Sequence, residues 1–114
     1  MAKDKYYKKP KVQMTFYIQE QDGFKSTIEN LTDPSPTIFE TTELTEVRFN
    51  ILIDSDESFL KYHALDSLGG KTITVGIIYE NGIELKSTFT VTSYERRFGS
   101  DKGSIITHVL KGSK

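Results

Sequence analysis

The sequence predicts a mainly β domain, an antiparallel β-sandwich or short β-barrel with one flanking α-helix at about residues 56–68. Three observations carry that reading. Apolar and polar residues alternate at period two through most of the chain, turn residues break the alternation at short intervals, and a single stretch between Asp54 and Gly70 changes to a helical period. At 114 residues the chain is one domain, long enough to bury about two-thirds of the surface it exposes when unfolded.

In chain order, Val12, Met14, Phe16 and Ile18 share one face of a first strand, and Gln13, Thr15, Tyr17 and Gln19 share the other. Glu20-Gln21-Asp22-Gly23 is a turn, and Phe24, Ser26 and Ile28 mark the returning strand. Residues 32–37 carry Pro34 and Pro36, each of which drives the residue before it to extended geometry, so an exposed loop is expected there. The next strand sets Val47, Phe49, Ile51 and Ile53 toward the core and Glu46, Arg48 and Asn50 away from it. Leu60, Ala64 and Leu68, widened by Phe59 and Leu65, then form a helical stripe. Asp54 or Ser55 is its N-cap, and Gly69 or Gly70 its left-handed exit.

The clearest hairpin surrounds Asn81-Gly82. A two-residue turn would set Ile77 beside Lys86 and Ile73 beside Thr90. A three-residue loop, Glu80-Asn81-Gly82, pairs Tyr79 with Ile83, Ile77 with Leu85 and Ile73 with Phe89. The second register keeps apolar with apolar and is expected, with Gly82 as the left-handed residue. A last strand, SIITHVL, follows the GSDKG turn.

A net charge of −1 conceals a segregation. Residues 1–11 carry five lysines against Asp4, a net of +4, and form a basic arm ahead of a single β-rich domain at 12–114. Residues 29–57 carry eight acids against Arg48, a net of −7. A nucleic-acid binder shows a basic excess over a whole face, whereas this chain pairs a basic arm with an acidic belt. No apolar run approaches the roughly 20 residues of a membrane span, and no apolar stretch follows the charged start as in a secretory signal. There is no cysteine, so disulfides and thiolate metal sites are excluded, which fits a reducing compartment.

Little in the sequence points to catalysis. It contains no phosphate loop, GxGxxG, GxSxG or HExxH motif. His63 and His108 each stand alone, and a catalytic histidine needs a positioned partner. The run DSDES (54–58) lacks the spacing of a calcium loop and reads as helix capping. Glu95-Arg96-Arg97 is either an anion clamp or a solvated strand end. Tyr6 and Tyr7 suit stacking on bases or anchoring against a protein neighbour. No catalytic residue, cofactor or metal is expected.

The loop TDPSPT, the strand EVRFNILI running into SFLKYHALDSL, and the closing segments YENGIELKSTFTV and GSIITHVLKGS follow one another in an order that resembles the tail tube and baseplate-tube proteins of contractile and long-tailed bacteriophages and their type VI secretion relatives. The resemblance covers most of the chain as an architecture. It implies a structural subunit of a ring or tube, with copies of itself and other structural subunits as partners and a place in the virion; otherwise a cytoplasmic location is expected. Charge complementarity then nominates Lys5, Tyr6, Tyr7, Lys8 and Lys9 against Glu40, Glu43 and Glu46 as a subunit interface. The second reading is a small OB-like single-strand nucleic-acid binder, with Tyr6, Tyr7, Arg96 and Arg97 as its contacts.

Overall fold

The computed structural model describes residues 14–32, 34–53, 64–98 and 105–114. Seven strands make one antiparallel sheet: β1 Met14–Glu20, β2 Lys25–Thr27, β3 Thr37–Glu40, β4 Leu44–Leu52, β5 Thr72–Tyr79, β6 Glu84–Phe98 and β7 Ile105–Ser113, in the order β2-β1-β5-β6-β7-β4-β3. The alternation read from the sequence is the reason. Phe16 and Ile18, Val47, Phe49 and Ile51, Ile73, Val75 and Ile77, Phe89 and Val91, and Leu110 all fall on one face and pack into one core. Each such side chain contributes about 1.5–3 kcal/mol relative to remaining exposed.

The sheet curls round that face. β6 is 15 residues long; Glu84–Thr90 pair with β5 and Thr90–Phe98 pair with β7. Three strands separate β1 from β4 in the sheet order, yet Phe16 and Phe49 meet with ring centroids 4.9 Å apart. The segment after β2 closes the remaining gap. The Ile28 amide donates to the Phe16 carbonyl at 2.8 Å, the Thr32 amide to the Asn50 carbonyl at 3.0 Å, and the Leu52 amide to the Asn30 carbonyl at 2.8 Å. Leu31 bridges to Ile51 between them.

The structure departs from the sequence expectations in the following places. All seven strands belong to one sheet, so two sheets stacked as a sandwich are not what holds the core. The flanking α-helix at 56–68 is not seen: Ala64–Leu68 is a short 3₁₀ segment, and residues 54–63 lie outside the described residues. Leu65 and Leu68 are the buried pair there, and a spacing of three is the period of a 3₁₀ turn. The segment expected as an exposed loop at 32–37 is irregular at 32 and 34–36, with Pro34 exposed and Asp33 outside the described residues, but it is not exposed throughout. Thr32 and Pro36 are buried, and the Pro34 carbonyl accepts from Asn50 Nδ2 at 3.4 Å. β3 is an additional strand; the Thr41 hydroxyl, accepting from the Glu43 and Leu44 amides at 3.3 and 3.0 Å, shapes its turn into β4.

The β5–β6 hairpin has the register that apolar matching requires. Ile77 faces Leu85 and Ile73 faces Phe89, the Tyr79 amide donates to the Ile83 carbonyl at 2.8 Å, and Gly82 has φ 90°. Replacing Gly82 with valine should therefore cost roughly 1 kcal/mol or more, since a β-branched residue resists that backbone region. On the outer face Tyr17 lies over Gly76, where an added Cβ would stand 2.3 Å from the ring. Gly76→Ala should destabilise by about 1–3 kcal/mol through this overlap, and by much less in a Tyr17→Ala background. Urea unfolding of the four proteins of that cycle measures both, and equal costs in the two backgrounds would refute the contact as the cause.

Candidate functional site

The outer surface of β6, β7 and β4 carries a rail of alternating charge. Lys111 stands opposite Glu46, while Arg48 and Glu95 flank Val109. Glu46 Oε2 is 3.2 Å from Arg48 Nε, Glu46 Oε1 is 3.6 Å from Lys111 Nζ, and Glu95 Oε2 is 2.7 Å from Arg97 Nη2. The Arg97 hydrogen bond, followed by the Arg97 charge, holds the Glu95 carboxyl below the usual carboxylate range. Pairs this exposed contribute about 0–1 kcal/mol each, so the rail shapes the surface more than it stabilises the fold.

The acids nominated as a receptor for the basic arm are thereby largely engaged within their own chain. Glu46 has Arg48 and Lys111. Glu40, at the end of β3, bonds Lys114, and this bond together with one from Ser87 keeps its carboxyl below the usual range. Glu43, in the β3–β4 turn, is exposed. Lys5, Tyr6, Tyr7, Lys8 and Lys9 lie outside the described residues, as does His63.

Arg96 and Arg97 do not share a groove. Ser93 pairs with Lys111 and Val91 with Gly112, leaving Thr92 as an extra residue in β6. This bulge reverses the phase of the strand. Tyr94 and Arg96 then face inward, and Glu95 and Arg97 outward. Arg96 Nη2 lies 2.6 Å from Asp66 Oδ2 of the 3₁₀ segment, and its guanidinium carbon is 5.9 Å from the centre of the Tyr94 ring. Tyr94 Oη is 2.7 Å from Nδ1 of His108. The His108 ring stacks on Phe49 at 5.1 Å and on Tyr94 at 5.9 Å. His108 is fully buried; that burial, with the positive charge of Arg96 behind it, lowers its pKa to about 4. It is a neutral core residue at neutral pH, screened from solvent by the rings around it. Sequence reading treated His108 as solitary because its partners depend on the bulge, and Ser93 and Thr92 carry no mark of one.

A third arrangement lies at the end of the sheet where β1, β4 and β6 begin and β3, β5 and β7 finish. Phe39, Leu44, Ile83 and Leu85 are 64%, 59%, 57% and 50% exposed, and all four belong to the two hairpins at this end. The hairpins touch where Thr45 Oγ1 meets Ser87 Oγ at 3.2 Å. Outside, the Tyr17 hydroxyl donates to Glu84, and Lys25 Nζ sits 4.5 Å from the centre of the Tyr17 ring. Burial first, then the Glu84 hydrogen bond and charge, push the Tyr17 phenol up to about 12. At the opposite end a cleft of about 460 Å³ lies between the β1–β2 turn and Gly70–Thr72, spanned by Lys71 Nζ and Glu20 Oε1 at 2.8 Å.

Among the described residues no group of three or more His, Cys, Asp or Glu is placed to hold a metal ion, and no helix is long and apolar enough to cross a membrane. No protein-family model, no curated protein and no solved structure matches the chain.

The buried histidine makes stability depend on pH with a definite sign. The unfolded chain takes up a proton near the usual histidine pKa of about 6.5, whereas folded His108 resists until about 4. The stability His108 contributes is complete above pH 6.5 and is lost as pH falls from there toward 4, by about 3 kcal/mol in all. Denaturant unfolding between pH 7 and 4.5 should show this slope, and His108→Gln should flatten it. An unchanged slope in the variant would remove His108 as its source.

Proposed function

We propose that this chain is a non-enzymatic structural subunit of an oligomeric assembly, of the kind that builds a phage tail tube or tail–baseplate. The observation that carries the reading is that Phe39 and Leu44, on the outer face of one hairpin, and Ile83 and Leu85, on the inner face of the other, all remain exposed at the same end of the sheet. Singly exposed apolar residues are ordinary, but several at one end, rimmed by charge, are what subunit contacts use. The curled sheet, read as a short, partly closed barrel, is a rigid body suited to stacking. The basic stretch 1–11 and, among the acids at 29–57, the exposed Glu43 supply charges of opposite sign for orienting neighbours. The setting in a phage tail rests on the order of elements.

The arrangement of the titratable groups favours assembly over chemistry. His108 is locked between Tyr94 and Phe49 in the core, so it does not reach a substrate. The nucleic-acid reading loses support from the same strand. Arg96 faces Asp66 inside and Arg97 pairs with Glu95 outside, so the two do not form one phosphate-binding track.

Native mass by light scattering, with and without a single-stranded oligonucleotide, tests the proposal. The expected outcome is a mass well above the 13.0 kDa of one chain at low salt, falling as salt screens the exposed charges, with no change on adding oligonucleotide. A strictly monomeric species at high concentration would sink the assembly reading, and a monomer that binds the oligonucleotide would replace it with the alternative.

A further inference from the structure

Among the described residues the central strand β6 has an edge with no partner strand. β5 covers one side of it from Glu84 to Thr90, and β7 covers the other side only from Thr90 onward, where Ser113 is the last partner. Because Tyr79 and Ile83 form a hydrogen-bonded pair, alternation along an antiparallel ladder gives Leu85 and Ser87 to β5. It turns the N–H and C=O of Glu84, Lys86 and Thr88 to the opposite side. Among the described residues no strand pairs with them there. The face beneath this edge is also uncovered: Thr45 reaches Ser87, but Ile83 and Leu85, further toward the hairpin tip, are 57% and 50% exposed. A stretch of unpaired edge above an apolar floor is a template for an added strand.

Resting on the reading of this chain as an assembling subunit, we propose that the edge Glu84–Thr88 receives the stretch 2–11 of a neighbouring copy as an added β-strand. Where that stretch starts argues for it. Described structure begins at Met14, opposite Tyr79 at the same end of the sheet though on the far side of β5 from the edge, and the thirteen residues before it are long enough to reach up to roughly 40 Å. Charge argues for it as well. With Glu40 already bonded to Lys114, this end presents Glu43, Glu80 and Glu84 against Lys25 and Lys86, and the arriving stretch carries five lysines against Asp4. Its adjacent tyrosines, Tyr6 and Tyr7, put one aromatic ring on each face of an extended strand. In either register one ring lies over Leu85 and Ile83. Pairing within one copy would require the chain to leave β1, pass below the Glu80–Gly82 loop and reverse direction, whereas a neighbour needs no reversal.

The full chain tests this by light scattering and by hydrogen exchange at β6. Lys86→Pro deletes a donor on the free edge and none on the β5 ladder, so a cooperative melt should survive while self-association weakens at least tenfold. Lys86→Ala, which keeps the amide, should assemble like the wild type. Leu85→Glu should weaken assembly as Lys86→Pro does. An excess of a synthetic peptide of residues 2–13, added to the wild-type chain, should dissociate the assembly. The proposal is overturned if the folded Lys86→Pro and Leu85→Glu proteins assemble normally, which leaves the structural-subunit reading standing. It is overturned too if those variants fail to assemble but the peptide does not compete, since another strand then fills the edge. A monomeric wild-type chain with a protected Lys86 amide would mean pairing within one copy; a monomer with that amide unprotected would bring down the assembly reading as well.

Discussion

One strand, β6, divides its length between two ladders, and the rest of the fold depends on it. Residues Glu84–Thr90 answer to β5 and Thr90–Phe98 to β7, so β6 carries the sheet from one wall of the core to the other. The bulge at Thr92 lets it do so. Without the extra residue, the phase set by Phe89 and Val91 would send Ser93 and Glu95 inward. With it, Tyr94 and Arg96 fill that side, and Glu95 and Arg97 join the charged rail outside. A one-residue change of register exchanges every side chain between the faces; here the exchange is confined to half a strand.

The electrostatics follow from this division. Outside, carboxylates and cations are neighbours across adjacent strands and settle one another: Glu46 with Arg48 and Lys111, and Glu95 with Arg97. Inside, the ion pair of Arg96 with Asp66 stands where the 3₁₀ segment meets β6, at the border of the core. Its cation sits close enough to His108 to help keep that ring neutral. Burying a neutral imidazole that bonds Tyr94 costs far less than burying an imidazolium. The core therefore tolerates a polar side chain in the middle of β7.

Much of the fold was legible in the sequence because the apolar alternation is strict. The faces of β1, β4 and β5 follow from it directly, and apolar matching across Asn81-Gly82 selected the observed hairpin register. The rest depends on contacts far apart in the chain or on signals too short to read. β3 is four residues placed just after two prolines, and it becomes a strand because β4 offers Thr45–Arg48 as a partner. The stripe read as an α-helix contains Leu65 and Leu68, whose spacing of three fits a 3₁₀ turn equally well. The bulge falls among Thr92 and Ser93, two polar residues that do not reveal which face they take. For the candidate interface, the acidic belt was visible as composition, but the cations that neutralise Glu40 and Glu46 come from Lys114, Arg48 and Lys111, brought there by sheet pairing.

The sheet treats its edges unequally, and the inequality has a structural cause. β2 and β3, at the two ends of the strand order, are three and four residues long, and very short edge strands are a common defence against unwanted pairing. Among the described residues the edge along Glu84–Thr88 has no such protection. It carries no proline, its bulge lies beyond the paired half, and Lys86 is its only cation. It exists because β6 must be long enough to reach β5 at one end and β7 at the other, and β7 ends its pairing at Thr90. A strand whose two ladders occupy different halves leaves part of each side open unless a neighbouring segment fills it. At the other half of β6, Gly70 and Lys71 do so, with the Gly70 amide donating to the Val91 carbonyl at 2.8 Å and the Val91 amide to the Lys71 carbonyl at 2.9 Å. At the hairpin half, among the described residues, the Thr45 and Glu40 side chains arrive through Ser87 and no strand does. The same length that closes the core thus leaves this fold with its one extended, adhesive edge among the described residues.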